Sequence, residues 1–479
     1  MRPLAYRLVT AVLLAGGGAL AQTSPPPAEP PPGPPPAAEM PPTSVAPNAA
    51  PVSVVKPGAP APKPVTSKSE ITVYGTIDLT TIWDSVENLG TEAVGGGPVA
   101  RSGTFTGDHS RLQFSPRGSR FGLRLGLPEW EGVKVSGLFE ADFVGNQPPG
   151  ISEPAFYTNP TFRVRHAWAK LSAGGIDVTF GQTWYLFGWV PNGVGYSVMV
   201  AGVPGAVYGR TPQVRIGTAI KTDDVNVEVA IAASKPAQRD SGTPDGQAGV
   251  RLLVNNWKGI RTPGPGLSNI EPLSIGVSGV VRNFQVDALM NQTTQTTSTT
   301  GFGVAGDILV PIIPAKSRED HQFALTLSGE ASYSEGCADF FTAFTGGAIM
   351  PTTVPGTTPA VAYTANVDPG LVLFDPNNTA NLVAIKWLAV TGGLQFYLTN
   401  QLFIAGNFSF VQSDNIADLT PTARVNLVYK KNVFFDGSIV WDVTPATRIG
   451  FEVGRFMQTY VDNIENDATR LQLGFWYFF

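Results

Sequence analysis

From Ile71 to the C-terminus, apolar side chains recur at every second position, and the charges keep almost entirely to the other parity. Val73, Ile77, Leu79 and Trp83 alternate with Thr72, Tyr74, Thr76, Asp78 and Thr80. Phe121, Leu123, Leu125 and Leu127 alternate with Arg120, Gly122, Arg124 and Gly126. Val133, Val135, Phe139, Ala141 and Phe143 face away from Lys134, Ser136, Glu140 and Asp142. Period two is the signature of a strand with one apolar and one polar face. Sustained over roughly 400 residues, it restricts the chain to an all-β architecture. Charged residues make up 14% of the chain, aromatics 10%, and the net charge is −5. Mean hydropathy near zero suits a barrel in which lipid-facing and lumen-facing residues cancel. The mild acidity excludes a dedicated nucleic-acid binder, which needs a basic face.

The first residues have the form of an export signal: Arg2 and Arg7, an apolar run Leu8–Leu14, and a small-x-small site at Ala19-Leu20-Ala21. Residues 1–21 are therefore expected to be removed. Residues 22–69 carry 17 prolines and cannot bury a core, so an extended periplasmic linker is expected, disordered and partly polyproline II. It could reach on the order of 150 Å at about 3.1 Å per residue. A solvated spacer and an arm that touches peptidoglycan are both open. No later segment approaches the ~18 apolar residues of a membrane helix. An exported chain of alternating strands points to the outer membrane, with its lipid and lipopolysaccharide as surroundings.

Connections alternate between short and long. Pairing them predicts strands at 71–84, 119–127, 132–142, 161–172, 177–185, 210–220, 225–234, 248–254, 272–290, 301–312, 321–333, 382–397, 402–412, 423–443, 448–458 and 468–479. That is an antiparallel transmembrane β-barrel of about 16 strands over residues 70–479, an even number with both ends on the periplasmic side. The connections 255–271 and 313–320 are long for that side, and fourteen or eighteen strands are the alternatives. In the last strand Leu471, Leu473, Phe475, Tyr477 and Phe479 are expected outward, with Arg470 and Gln472 inward.

A barrel this wide can hold an aqueous channel, whose selectivity depends on what narrows and lines it. The third long connection, LFGWVPNGVGYSVMVAGVPGAVYG at 186–209, contains no charged residue. So apolar a loop is expected to fold inward, burying Trp189, Tyr196 and Met199 as a constriction; packing on a neighbouring subunit is the alternative. Around it lie Arg120, Arg124, Arg163, Arg165, Arg210 and Arg215, with Asp78, Glu140 and Asp142 on the same wall. Arginines stacked on neighbouring strands would draw anions inward. Cross-strand pairing with the acids would instead make them a merely satisfied polar lining. His166 falls on the outward parity between Val164 and Trp168, where a subunit interface would explain it. The lone Cys337 forms no intramolecular disulfide. With only His109, His166 and His321, neither metal nor cofactor is expected. Gly95-Gly96-Gly97-Pro98 lacks the lysine of a phosphate loop, and no nucleophile–base pair suggests an enzyme.

The chain resembles the DcaP-like outer-membrane porins. The resemblance is carried by Val73-Tyr74-Gly75 with Asp78, Ser119-Arg120-Phe121-Gly122, Glu140-Ala141-Asp142-Phe143, Arg163-Val164-Arg165-His166-Ala167-Trp168, Gly181-Gln182-Thr183-Trp184 and Arg210-Thr211-Pro212-Gln213-Val214-Arg215. It is good over roughly 71–220 and returns in the last strands. It implies a homotrimeric porin favouring small dicarboxylic and aromatic acids, with Arg120, Arg163, Arg165, Arg210 and Arg215 lining the pore. Two features depart from the family: a proline-rich arm where a helical coiled coil is usual, and the very long loop 334–381. The expected function is thus a diffusion channel preferring anions. Its rivals are a structural or adhesion barrel with a plugged lumen, and an outer-membrane lipid-modifying enzyme.

Overall fold

The computed structural model describes residues 69–88, 99–145, 161–189, 194–198, 202–238, 241–287, 296–342 and 370–479. The expected export signal, the proline-rich arm, Gly95–Pro98 and most of loop 334–381 lie outside the described residues.

The strands are β1 (Glu70–Asp84), β2 (Arg111–Ser115 and Arg120–Gly126), β3 (Lys134–Asp142), β4 (Arg163–Ala173), β5 (Ile176–Trp184), β6 (Arg210–Lys221), β7 (Val225–Ser234) and β8 (Asp245–Arg261). They continue as β9 (Asn269–Asp287), β10 (Thr296–Ile313), β11 (Leu325–Glu335), β12 (Lys386–Tyr397), β13 (Leu402–Ser413), β14 (Tyr429–Thr444), β15 (Thr447–Tyr460) and β16 (Glu465–Phe478). The sheet holds 17 strand segments. Both pieces of β2 pair with β1, as Thr80↔Ser115 and Thr76↔Arg120, so they are one strand and the ring has sixteen. Pro116, which cannot donate to a ladder, opens the interruption. The sequence places the start of this strand at 119; the piece Arg111–Ser115 extends it toward the loop end.

Every neighbouring pair is antiparallel, and β1 closes on β16 from Thr76↔Phe478 to Asp84↔Arg470. Closure leaves no unpaired edge, the condition for backbone to cross lipid. Both chain ends of the barrel lie at the end with short turns. Phe479 seals it: its N–H donates to Gly75 O at 3.1 Å, and Gly75 N–H donates to Phe479 O at 3.0 Å. Gly75 has to be glycine, because a Cβ there would stand 2.3 Å from the Phe479 ring.

Parity divides the two faces as expected. Ile71, Val73, Ile77, Leu79, Phe475, Tyr477 and Phe479 are exposed on the outside, while Asp78, Asp84, Arg470 and Gln472 are buried within. Trp130, Trp257 and Trp441 add exposed aromatics at the turn end, in the manner of an interfacial girdle. In the wall of arginines, β4 breaks its own parity. In β4 the register runs Asp142↔Arg163, Ala141↔Val164, then Glu140↔His166, so Arg165 is an extra, bulged residue. A one-residue slip turns every later side chain to the other face. His166 and Trp168 therefore point into the lumen, which corrects the outward assignment that strict alternation gives.

Candidate functional site

The described parts of segment 186–209 lie inside the barrel and are held by side chains of the wall. Gln247 Oε1 accepts from Leu186 N–H and Phe187 N–H, both at 2.9 Å, and Ser278 Oγ from Gly188 N–H at 2.8 Å. On the far wall, Ser328 Oγ accepts from Gly195 N–H at 2.8 Å. Glu452 accepts from Val198 N–H at 2.6 Å and Ser197 Oγ at 3.2 Å, and Glu330 from Val207 N–H at 2.7 Å. Asn407 Nδ2 donates to Tyr196 O. Each such bond contributes on the order of 0.5–1.5 kcal/mol, and together they hold the loop to β11 and β15. Tyr196 is fully buried and meets Phe403 edge-on at 5.1 Å. Trp189 packs beside Leu186, Ala230 and Ala232, with Arg251 over its ring at 4.7 Å. These two aromatics seat the loop on the wall rather than facing open space. The loop thus packs on its own barrel; Met199 lies outside the described residues.

Tyr196 and Val198 share an apolar cluster with Ile260, Tyr397, Phe403 and Trp476, which fills the lumen beside β12–β16. Open space remains on the other side. A cavity of about 390 Å³ is bounded there by Tyr74, Arg120, Arg124, Glu140, Arg165, His166, Trp168 and Trp184, and by Ser197, Val203 and Tyr208 of the loop. The segment Pro263–Gly266 from the turn end bounds it as well.

The carboxylates of this wall are committed. Asp142 takes two bonds from Arg163, at 2.9 and 2.6 Å, and one from Arg165 at 3.1 Å. Glu140 accepts from Arg165 Nε at 2.6 Å and Tyr74 Oη at 2.8 Å. Asp78 accepts from Thr80 Oγ1 at 2.9 Å. Four arginines, Arg120, Arg124, Arg210 and Arg215, have no ion-pair partner within 4 Å among the described residues. Arg124 lies over the Tyr74 ring at 4.4 Å, and Arg210 over Trp184 at 4.5 Å. Arg215 donates to Trp184 O at 2.6 Å and Gln213 Oε1 at 3.1 Å. Arg120 Nε has no hydrogen-bond partner among the described residues. The two readings of the arginines therefore each hold for part of the set: Arg163 and Arg165 are paired, and the remaining four make no direct ion pair among the described residues, so six arginines face three acids on this wall.

Arg120, Arg124, Arg165 and Glu140 bound the cavity directly, whereas Asp78, Asp142, Arg163, Arg210, Arg215, Trp189 and Tyr196 are not among its lining residues. Sequence reasoning missed the aromatic members Tyr74, Trp168, Trp184 and Tyr208, together with His166. Trp184 joins His166 at 5.1 Å and Tyr208 at 4.6 Å. No group of three or more metal-ligating residues occurs among the described residues.

No protein-family model and no curated protein sequence matches the chain. Among solved structures it is similar to the outer membrane channel DcaP of Acinetobacter baumannii, with a TM-score of 0.59 and 17% identity over 86% of this chain and 97% of that one. An anion-selective porin from Comamonas acidovorans superposes at 0.48, with 11% identity over 86% and 100% of the two chains. OmpT of Vibrio cholerae superposes at 0.46, with 11% identity over 86% and 98%. The likeness to DcaP is one of fold, and it agrees with the resemblance carried by the motifs of the first six strands.

Proposed function

We propose that this chain is an outer-membrane porin, a passive channel whose water-filled path runs along the β1–β6 wall and favours small anions. The observation that carries this reading is the asymmetry of the lumen. The inward loop and its apolar cluster fill one half, and the half left open is lined by Arg120 and Arg124, which make no direct ion pair among the described residues, beside the paired Arg165. Guanidinium forks match carboxylates in geometry, and in a narrow water-filled lumen with low-dielectric walls they concentrate anions. Tyr74, Trp168, Trp184 and Tyr208 add ring faces beside the charges, which suits small dicarboxylic and aromatic acids.

In this reading the exposed apolar belt meets lipid, with lipopolysaccharide at the loop end. Residues 1–21 are the export signal and 22–69 a periplasmic linker able to contact peptidoglycan. The resemblance to DcaP-like porins supports assembly as a homotrimer. The test is planar-bilayer recording of the purified protein. Discrete conductance steps are expected; their absence would favour the plugged structural barrel. Hydrolysis of added phospholipid by the same preparation would point instead to the lipid-modifying enzyme.

A further inference from the structure

Strands β8 and β9 outrun their neighbours at the turn end. The β7 ladder ends at Val225↔Val254, yet β8 continues to Arg261. Beyond Val254 the register with β9 shifts between Leu273 and Pro272, then resumes as Lys258↔Pro272 and runs to Arg261↔Asn269. A bulge bends a hairpin, and this one turns into the barrel. Ile260, Arg261 and Thr262, which an outward extension would expose, are fully buried.

The bent tip is fastened to β11 and β12, two and three strands beyond β9 in the ring, and to β15 across it. Thr326 Oγ1 on β11 donates to Ile260 O at 2.8 Å. Gln395 on β12 brackets Thr262, accepting from its N–H at 2.8 Å and donating to its carbonyl at 3.0 Å. The Thr262 hydroxyl bonds Tyr397 Oη at 2.9 Å. Arg448 on β15, itself held by Asp442 at 2.6 and 2.9 Å, donates to Gly266 O and to Ser268 Oγ. A Cβ placed on Gly264 would be 3.8 Å from Ser197 O of the inward loop. The tip therefore lies directly beneath that loop.

The tip sequence, Pro263-Gly264-Pro265-Gly266, combines fixed proline φ angles with a positive φ of 51° at Gly264. It carries no charge, so it narrows without repelling. We infer that Pro263–Gly266 is a second constriction of the pore, set below the inward loop at the periplasmic end of the arginine-lined chamber, and that it helps to fix the size of solute passed. This rests on the channel reading above.

Two variants in a Cys337→Ser background test it, each first checked for a folded, heat-modifiable barrel. In Pro265→Cys, a methanethiosulfonate reagent added from the turn side should lower single-channel conductance by about half, as expected for a pore-lining position. The same treatment of Asp223→Cys, on the exposed β6–β7 turn, should leave it unchanged. In the second variant, removal of Pro263–Gly266 leaves Thr262, Leu267 and Ser268 between the paired Arg261 and Asn269, a connection length that hairpins accept. Its conductance should rise about twofold. A Pro265→Cys thiol that stays unlabelled, or is labelled without changing the current, together with an unaltered conductance in the shortened variant, overturns the inference. A wild type that shows no conductance at all overturns the channel reading instead.

Discussion

At the scale of single residues, Arg165 decides the most. It is the bulged position of β4, it binds Glu140 and Asp142 together, and its insertion turns His166 and Trp168 toward the cavity. The alternation of β4 was legible in the sequence, but the bulge was not, since an inserted residue leaves the same letters in the same order. Hence the charges of the wall could be read from parity while the lumen positions of His166 and Trp168 could not. Arg165→Met leaves the buried Glu140 with the Tyr74 hydroxyl but no direct ion pair, and Asp142 with Arg163 alone. It should cost about 3–5 kcal/mol, read as a lower urea midpoint for the detergent-solubilised barrel, and should shift ion selectivity toward cations. An unchanged midpoint would remove Arg165 from the network.

At the scale of elements, the inward loop is the organising piece. Its position was readable because 24 uncharged, largely apolar residues have no reason to face water, but its seat was not. The seat depends on Glu330 and Glu452, from strands more than a hundred residues downstream, accepting from Val207 and Val198. It also depends on Gly393, where a Cβ would come within 2.6 Å of Gly195 Cα. Replacing both glutamates by glutamine puts an amide in place of the carboxyl groups that accept from Val207, Val198 and Ser197, a loss on the order of 0.5–1.5 kcal/mol per bond where the amide does not reproduce it. The loop should then fluctuate, raising open-channel noise and the permeation of larger neutral sugars in liposome swelling. Gly393→Val should do the same by steric displacement. Wild-type behaviour in both variants would mean that the loop is held elsewhere. The bent β8–β9 hairpin left only one trace in the sequence, a turn-side connection longer than such turns usually are.

For the whole molecule, sixteen strands close through the contact of the first with the last, and the fit of Phe479 against Gly75 completes that closure. Gly75→Val places a branched side chain against the Phe479 ring and Arg120 O, and should cost about 1–3 kcal/mol by overpacking. The expected readout is a smaller heat-modifiable fraction after refolding; full refolding would show that the terminal ring can move aside. Strand number, and facing outside the β4 bulge, were legible because the alternation returns in strand after strand to the last residue. The division of the lumen into a packed half and an arginine-lined half emerges only once loop, hairpin and wall are assembled. That division is the basis of the anion preference. It is tested most directly by the reversal potential of single wild-type channels in a potassium chloride gradient, compared with Arg120→Gln/Arg210→Gln. The wild type should reverse on the chloride side of zero and the variant nearer to the potassium side. A cation-selective wild type, or a variant that reverses where the wild type does, would contradict it.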